Sequence, residues 1–71
     1  MNKAYFILVA TTRHDNVIEM LFGDYDKEVV EQEKIDAREN DHMNEYKAYR
    51  VIRLANDTQD HIDGILAGLN A

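Results

Sequence analysis

The sequence predicts an α+β domain with the element order β-β-α-β-α. Two short apolar segments rich in β-branched and aromatic residues, 3–11 and 17–22, are typical of strands. The last segment, 57–71, has the apolar spacing of an amphipathic helix. A chain of 71 residues forms one small domain, so we expect a single unit over residues 1–71 with a marginal hydrophobic core.

The first two strands are predicted to form a hairpin. Residues 3–11, KAYFILVAT, are apolar at nearly every position, which is typical of a strand covered on both faces. Residues 12–16, TRHDN, supply the polar turn, and residues 17–22, VIEMLF, form the second strand. Gly23 is predicted to end that strand because glycine is depleted in strand interiors.

The acidic segment that follows, GDYDKEVVEQEKIDARENDH, is predicted to contain a helix from Lys27 to Asn40. Asp26 is a good N-cap, because its carboxylate can accept the free amide protons of the first turn. Tyr25 precedes this cap and Val30 is the fourth helical residue, the spacing of a hydrophobic staple. The apolar stripe of this helix is thin, so it is expected to lie at the periphery of the domain.

The next segment, residues 45–55 with the sequence EYKAYRVIRLA, fits two interpretations. A helical stripe would contain Ala48, Val51, Ile52 and Ala55. The two faces of a strand would instead contain Tyr49 with Val51 and Ile52 with Leu54. Tyrosine, valine and isoleucine favour the strand. In the last segment, Asp57 or Thr58 is the predicted cap of a helix whose apolar residues are Ile62, Ile65, Leu66 and Leu69.

This order predicts a three-stranded mixed sheet, strand order 2-1-3, with both helices packed on one face. The most apolar strand belongs in the centre, and a crossover helix gives the third strand the direction of the second. The side chains expected to face the helices are Phe6, Leu8, Ala10, Ile18, Met20, Phe22, Ile52 and Leu54. The opposite face is then open and apolar, formed by Tyr5, Ile7, Val9, Val17, Leu21, Tyr49 and Val51.

An open apolar face of this size is rare on a small monomer, so we expect it to be an interface. A second copy of the chain would bury it in a homodimer, or a different protein would cover it. The competing interpretation is that the strand register differs or that residues 45–55 are helical, in which case the face does not exist.

Charge is segregated along the chain, whose formal net charge is −6. Residues 24–41 contain eight acids and three bases, which gives a local charge of −5. Such a surface argues against direct binding to nucleic acid or to an anionic membrane. A one-signed acidic surface can instead bind a basic groove on another protein, with candidate residues Asp24, Asp26, Glu28, Glu31 and Glu39. The alternative is that these acids only keep the helix solvated, as charged runs usually do.

Several chemistries are not expected. The chain has no cysteine, which excludes disulfides and thiolate chemistry, and it has none of the common nucleophile, phosphate-loop or HExxH motifs. We therefore predict no enzyme activity, no catalytic residue and no cofactor. The only metal candidates are Asp57, Asp60 and His61, a weak set because the same residues suit the start of a helix. The apolar run AYFILVA is too short to span a membrane, and a cytoplasmic location is expected.

The function these observations favour is that of a small acidic protein-binding module. Short length, acidity and a lack of catalytic motifs are common in accessory proteins of phages and other mobile elements, where an inhibitor acts by occupying a surface. The alternatives are an obligate homodimer with no separate acidic binding surface, and a protein that binds divalent cations weakly.

Overall fold

A computed structural model describes residues 4–71 of the chain and contains the five predicted elements in the predicted order. Strand β1 is Tyr5–Thr12 and strand β2 is Ile18–Asp24. Helix α1, Lys27–Glu39, is followed by strand β3, Tyr46–Leu54, and helix α2, Gln59–Leu69. The α+β class, the strand order β2-β1-β3 and the assignment of residues 45–55 to a strand are confirmed.

The prediction of a mixed sheet is wrong, because both pairs of neighbouring strands are antiparallel. The crossover through α1 does give β3 the direction of β2. These two strands never touch, however, since β1 lies between them and runs the opposite way to both. No parallel pair is therefore formed among the three strands.

Two irregularities set the register of the sheet. The pairing of β1 with β2 shifts between Leu8 and Val9, which leaves Leu21 as an extra residue on β2. The strand also continues through Gly23 to Asp24, two residues beyond the predicted end. Glycine is needed there because the ring of Tyr5 lies over it, and a Cβ atom would overlap the phenol oxygen. Gly23 thus permits a close approach instead of ending the strand.

The prediction that both helices pack on one face is also wrong. Ile7 and Val9 of β1 form a buried cluster with Leu54 and with Ile62 of α2. Leu8 and Ala10 point to the opposite face and are buried as well. Helix α1 contacts all three strands, and its fully buried Val30 lies outside the α2 cluster, so α1 covers this second face.

The physical reason is the composition of β1, which is apolar on both of its faces. Each face must be removed from water, and two helices on the same face would leave the other set of apolar side chains exposed. One helix on each face buries both sets of side chains within a single chain.

Side chains cap both helices. The carboxylate of Asp26 accepts the N–H of Glu28 at 3.0 Å, which confirms the predicted N-cap of α1. Helix α1 ends one residue before the predicted end, and the side chain of Asn40 donates to the Asp36 carbonyl at 2.8 Å. Of the two candidates for α2, Thr58 is the N-cap, and its hydroxyl accepts the N–H of His61 at 3.3 Å.

Candidate functional site

The side of α1 that faces away from the sheet is the first candidate site. At 100° per residue, Glu28, Gln32, Ile35 and Glu39 lie opposite the inward-facing Val30 and Ala37, with Glu31 at one margin of this surface and Asp36 at the other. We call this surface the α1 outer face; it consists of Glu28, Glu31, Gln32, Ile35 and Glu39.

Ile35 is the unusual member of the α1 outer face, because 44% of its surface is exposed to solvent. It lines a shallow depression together with Lys27, Glu28, Glu31 and Gln32. An exposed isoleucine ringed by carboxylates and an amide has the arrangement of a small interface, with an apolar centre and a polar rim.

The basic and acidic residues of α1 lie on different parts of its circumference. Helical spacing places the three bases, Lys27, Lys34 and Arg38, together on one flank next to Glu31. Glu28 and Glu39 lie beyond them on the exposed side. The outer face is therefore acidic, with its positive charge confined to one margin.

Two of the predicted acidic residues have local structural roles. The carboxylate of Asp24 accepts the N–H of Asp26 at 2.8 Å, and Asp26 caps α1. These hydrogen bonds hold the turn between β2 and α1. Glu28, Glu31 and Glu39 are the members of the predicted acidic set that share the outer face.

The seven predicted sheet-face residues do not share one open face. Ile7 and Val9 are 0% and 2% exposed because α2 covers them, and Tyr5 packs beside the same cluster. Tyr49 and Val51 point the other way, since they pair with Ala10 and Leu8. Val17 precedes β2, and Leu21 is the bulged residue. The predicted register of β3 against β1 was wrong by one residue, which moves every β3 side chain to the other face.

A hydrogen-bonded cluster joins β3 to the segment that follows α1. The carboxylate of Asp41 accepts the backbone N–H groups of Glu45 at 2.9 Å and Tyr46 at 3.0 Å. It also accepts the hydroxyl of Tyr49 at 2.9 Å. The Tyr46 hydroxyl donates to Glu19 on β2, also at 2.9 Å, and the two tyrosine rings meet edge to face at 5.8 Å.

These contacts shift the pKa values of the groups involved. The backbone N–H groups of Glu45 and Tyr46 lower the pKa of Asp41, because they stabilise the ionised carboxylate. Burial and the hydrogen bond to Asp41 raise the pKa of Tyr49 to about 12. The hydrogen bond to Glu19, followed by burial, raises the pKa of Tyr46. Both phenols are thus protonated donors at neutral pH, which makes them poor general bases.

A depression of about 360 Å³ lies beside this cluster, at the hairpin end of the sheet. Its lining is polar except for Met43, which is 80% exposed. Within residues 4–71 every buried polar side-chain atom has a hydrogen-bond partner. The cluster therefore fixes the loop before β3 and leaves no buried polar group directed at a substrate.

The weak metal candidates lie at the start of α2. Asp60 and His61 follow the N-cap Thr58, and Asp57 precedes it. Over the described part of the chain, no three residues among histidine, cysteine, aspartate and glutamate are grouped closely enough to hold a metal ion. In the same residues, neither helix is long and apolar enough to cross a bilayer.

Sequence reasoning missed Ile35 and Gln32 of the outer face, and the cluster of Asp41, Tyr49 and Glu19. A signal for the first was present, because Ile35 lies at i+7 from Glu28 and away from the stripe of Val30 and Ala37. No signal pointed to the second, because Glu19 on β2 reaches Tyr46 on β3 only through the pairing of β1 with both neighbours. Comparison with family models, curated proteins and solved structures found no match to this chain.

Proposed function

We propose that this protein is a non-enzymatic protein-binding module whose α1 outer face docks on a basic surface of a partner protein. The observation that carries the proposal is the exposure of Ile35 in the middle of Glu28, Glu31 and Glu39. An apolar residue held in water by a rigid helix gains free energy when a partner covers it.

The surrounding acids determine which kind of partner this surface binds. Glutamates at the rim attract a basic surface over a distance of several ångströms and repel an acidic one. Their positions on a capped helix are fixed before binding, so little ordering accompanies association. A module of this kind acts by occupying a surface, which is also the way in which a small inhibitor of a nucleic-acid-binding protein works.

The geometry of the sheet does not support the hypothesis of a homodimer through its face. That hypothesis needed Ile7 and Val9 to be exposed, and α2 covers both. The large apolar side chains that remain exposed lie on α1, on β2 and in the connecting segments: Val17, Leu21, Tyr25, Val29, Ile35 and Met43.

The test begins with capture of the partner by a photo-crosslinking amino acid at position 32, in the centre of the outer face. The same amino acid at Asp63, which is exposed on α2, is the control position. We expect one basic protein to be crosslinked from position 32 and not from position 63. Its affinity for the unlabelled protein is then measured by calorimetry.

Two triple charge reversals separate a surface effect from net charge. Glu28, Glu31 and Glu39 are changed to lysine in one variant, and Asp57, Asp60 and Asp63 in the other. Both variants change the net charge equally, but only the first alters the outer face. We expect the first to abolish binding and the second to preserve it within a fewfold.

Ile35→Ala tests the apolar centre separately. Loss of a central apolar anchor typically weakens an interface by about tenfold or more. Equal losses in the two triple variants, or full affinity of Ile35→Ala, would contradict the proposal. Circular dichroism of each variant checks that the helices are retained.

A further inference from the structure

The chain pairs one residue on the outer edge of β2 and none within residues 47–54 on the outer edge of β3. On β2, the side chain of Asn70 accepts the N–H of Ile18 at 2.7 Å and donates to its carbonyl at 3.0 Å. These are the two hydrogen bonds that a residue of a neighbouring strand would make. On β3, no hydrogen bond from elsewhere in residues 4–71 reaches the backbone of residues 47–54, apart from those of its pairing with β1.

The open edge of β3 carries positive charge. Its bases are Lys47, Arg50 and Arg53, and it contains no acid. Arg50 pairs with Val9 and Arg53 with Phe6, so the two guanidinium groups project from opposite faces of the sheet. Lys47 donates to the side-chain oxygen of Asn16 and marks the hairpin end of the strand.

A cavity of about 180 Å³ lies beside the open edge on the face covered by α2. Its lining includes the apolar residues Val9, Ile18 and Ala48 together with Thr11, Tyr49 and Arg50. A strand added next to β3 would place alternate side chains on the same face as Ala48 and Arg50, at the margin of this cavity. An apolar side chain flanked by acids matches its lining.

We propose that the open edge of β3 binds an extended acidic segment of a partner protein as a fourth strand. Backbone hydrogen bonds supply affinity in this mode of recognition, and pockets for alternate side chains supply specificity. Acids on the two faces of the added strand meet Arg50 and Arg53, while an apolar side chain enters the cavity. This surface has the opposite sign to the α1 outer face and does not depend on it.

A second copy of the chain fits this edge poorly. Antiparallel pairing of two β3 strands brings arginines and lysines of one copy next to those of the other, and like charges directly opposite destabilise a sheet. The same charges that prevent self-pairing attract an acidic strand.

The experiment uses the intact protein, labelled with ¹⁵N, and a capped peptide of about seven residues with the repeat Glu-Glu-Val-Val, called the Glu-Val peptide, which spans most of β3 and carries Glu and Val on both of its faces. We expect alternate amides within residues 47–54 to become protected from hydrogen exchange. The same peptide with lysine in place of each glutamate, called the Lys-Val peptide, is the charge control, and a Glu-Val peptide with N-methylated amides is the hydrogen-bond control. Neither is expected to protect these amides.

Reversal of the charge on the edge of β3 should reverse its preference for the Glu-Val peptide over the Lys-Val peptide. Arg50→Glu combined with Arg53→Glu is expected to weaken the Glu-Val peptide by about tenfold and to favour the Lys-Val peptide. Both arginines are exposed, and the double glutamine variant replaces this one if the double glutamate variant does not fold.

Three outcomes would overturn the proposal. One is binding of the Glu-Val peptide without protection of the β3 amides, which would be nonspecific charge attraction. Another is equal binding of the Glu-Val and Lys-Val peptides. The third is a dimer of the free protein with β3 amides already protected, which would make a second copy the occupant.

Discussion

Two isoleucines, one on each helix, allow a matched test of how the helices cover the two faces of the sheet. Ile62 of α2 is 4% exposed and contacts the cluster of Ile7, Val9 and Leu54, whereas Ile35 of α1 is 44% exposed. Both are changed to alanine, so the gain in intrinsic helix propensity is the same for each. Any difference between the two variants reports burial.

The expected magnitudes are well separated. Truncation of a buried isoleucine to alanine costs about 2–5 kcal/mol, and we expect about 3 kcal/mol for Ile62→Ala. A domain of this length has a free energy of unfolding of roughly 4–11 kcal/mol, so this loss is a large part of the total. The melting temperature should fall by roughly 12–24 °C. Ile35→Ala should change stability by less than about 0.5 kcal/mol.

Urea unfolding followed by far-ultraviolet circular dichroism measures both variants. Equal losses, or a loss below about 1 kcal/mol for Ile62→Ala, would refute the placement of α2 over Ile7 and Val9. A double-mutant cycle extends the test to α1, with Val30→Ala combined with the milder Ile62→Val. Side chains on opposite faces share no partner, so the two effects should add within about 0.5 kcal/mol. Strong coupling would place both helices on one face.

Three further predictions concern individual contacts. Because the pKa of Asp41 is lowered by folding, its contribution to stability is present above the unfolded pKa of about 3.8 and is lost as the pH falls through the lower folded pKa. Urea midpoints below about pH 4 should therefore fall more steeply for wild type than for Asp41→Asn, and parallel curves would contradict this. Tyr49 should ionise near pH 12 in an ultraviolet titration, and Asp41→Ala should lower that value. Because folding raises the pKa of Tyr49, its contribution to stability is present below about pH 10 and is lost as the pH rises to about 12. Gly23→Ala should cost about 1–3 kcal/mol in urea unfolding because Tyr5 must move, and an unchanged midpoint would mean that the ring shifts freely.

Local features of the sequence predicted local structure correctly. Asp26 is followed by a helix because its carboxylate caps the first turn, and that contact involves residues two apart in the chain. The strand at residues 46–54 forms because tyrosine, valine and isoleucine suit a pleated surface. Neither contact depends on distant parts of the chain.

The apolar pattern of the sequence did not predict which side chains of the sheet face which helix. Because β1 is apolar at successive positions, Ile7 and Leu8 both fit a buried face, and alternation alone assigns neither to a helix. Register shifts next to Leu8 on one side of β1 and next to Thr11 on the other then change which residues lie opposite one another. The open sheet face was lost as a candidate site, the predicted acidic surface was narrowed to the α1 outer face, and the edge of β3 was added.

The sequence by itself determined the α+β class, the order of its elements, the acidic character of α1 and the positive charge of β3. These follow from the composition and spacing of neighbouring residues. Only the tertiary structure decided that one helix covers each face, that Tyr46 joins Glu19, and that Asn70 pairs with Ile18 on the edge of β2 while the edge of β3 is open. The physical reason is that these contacts join residues distant in the chain, and their geometry depends on how β1 divides its two faces between two helices.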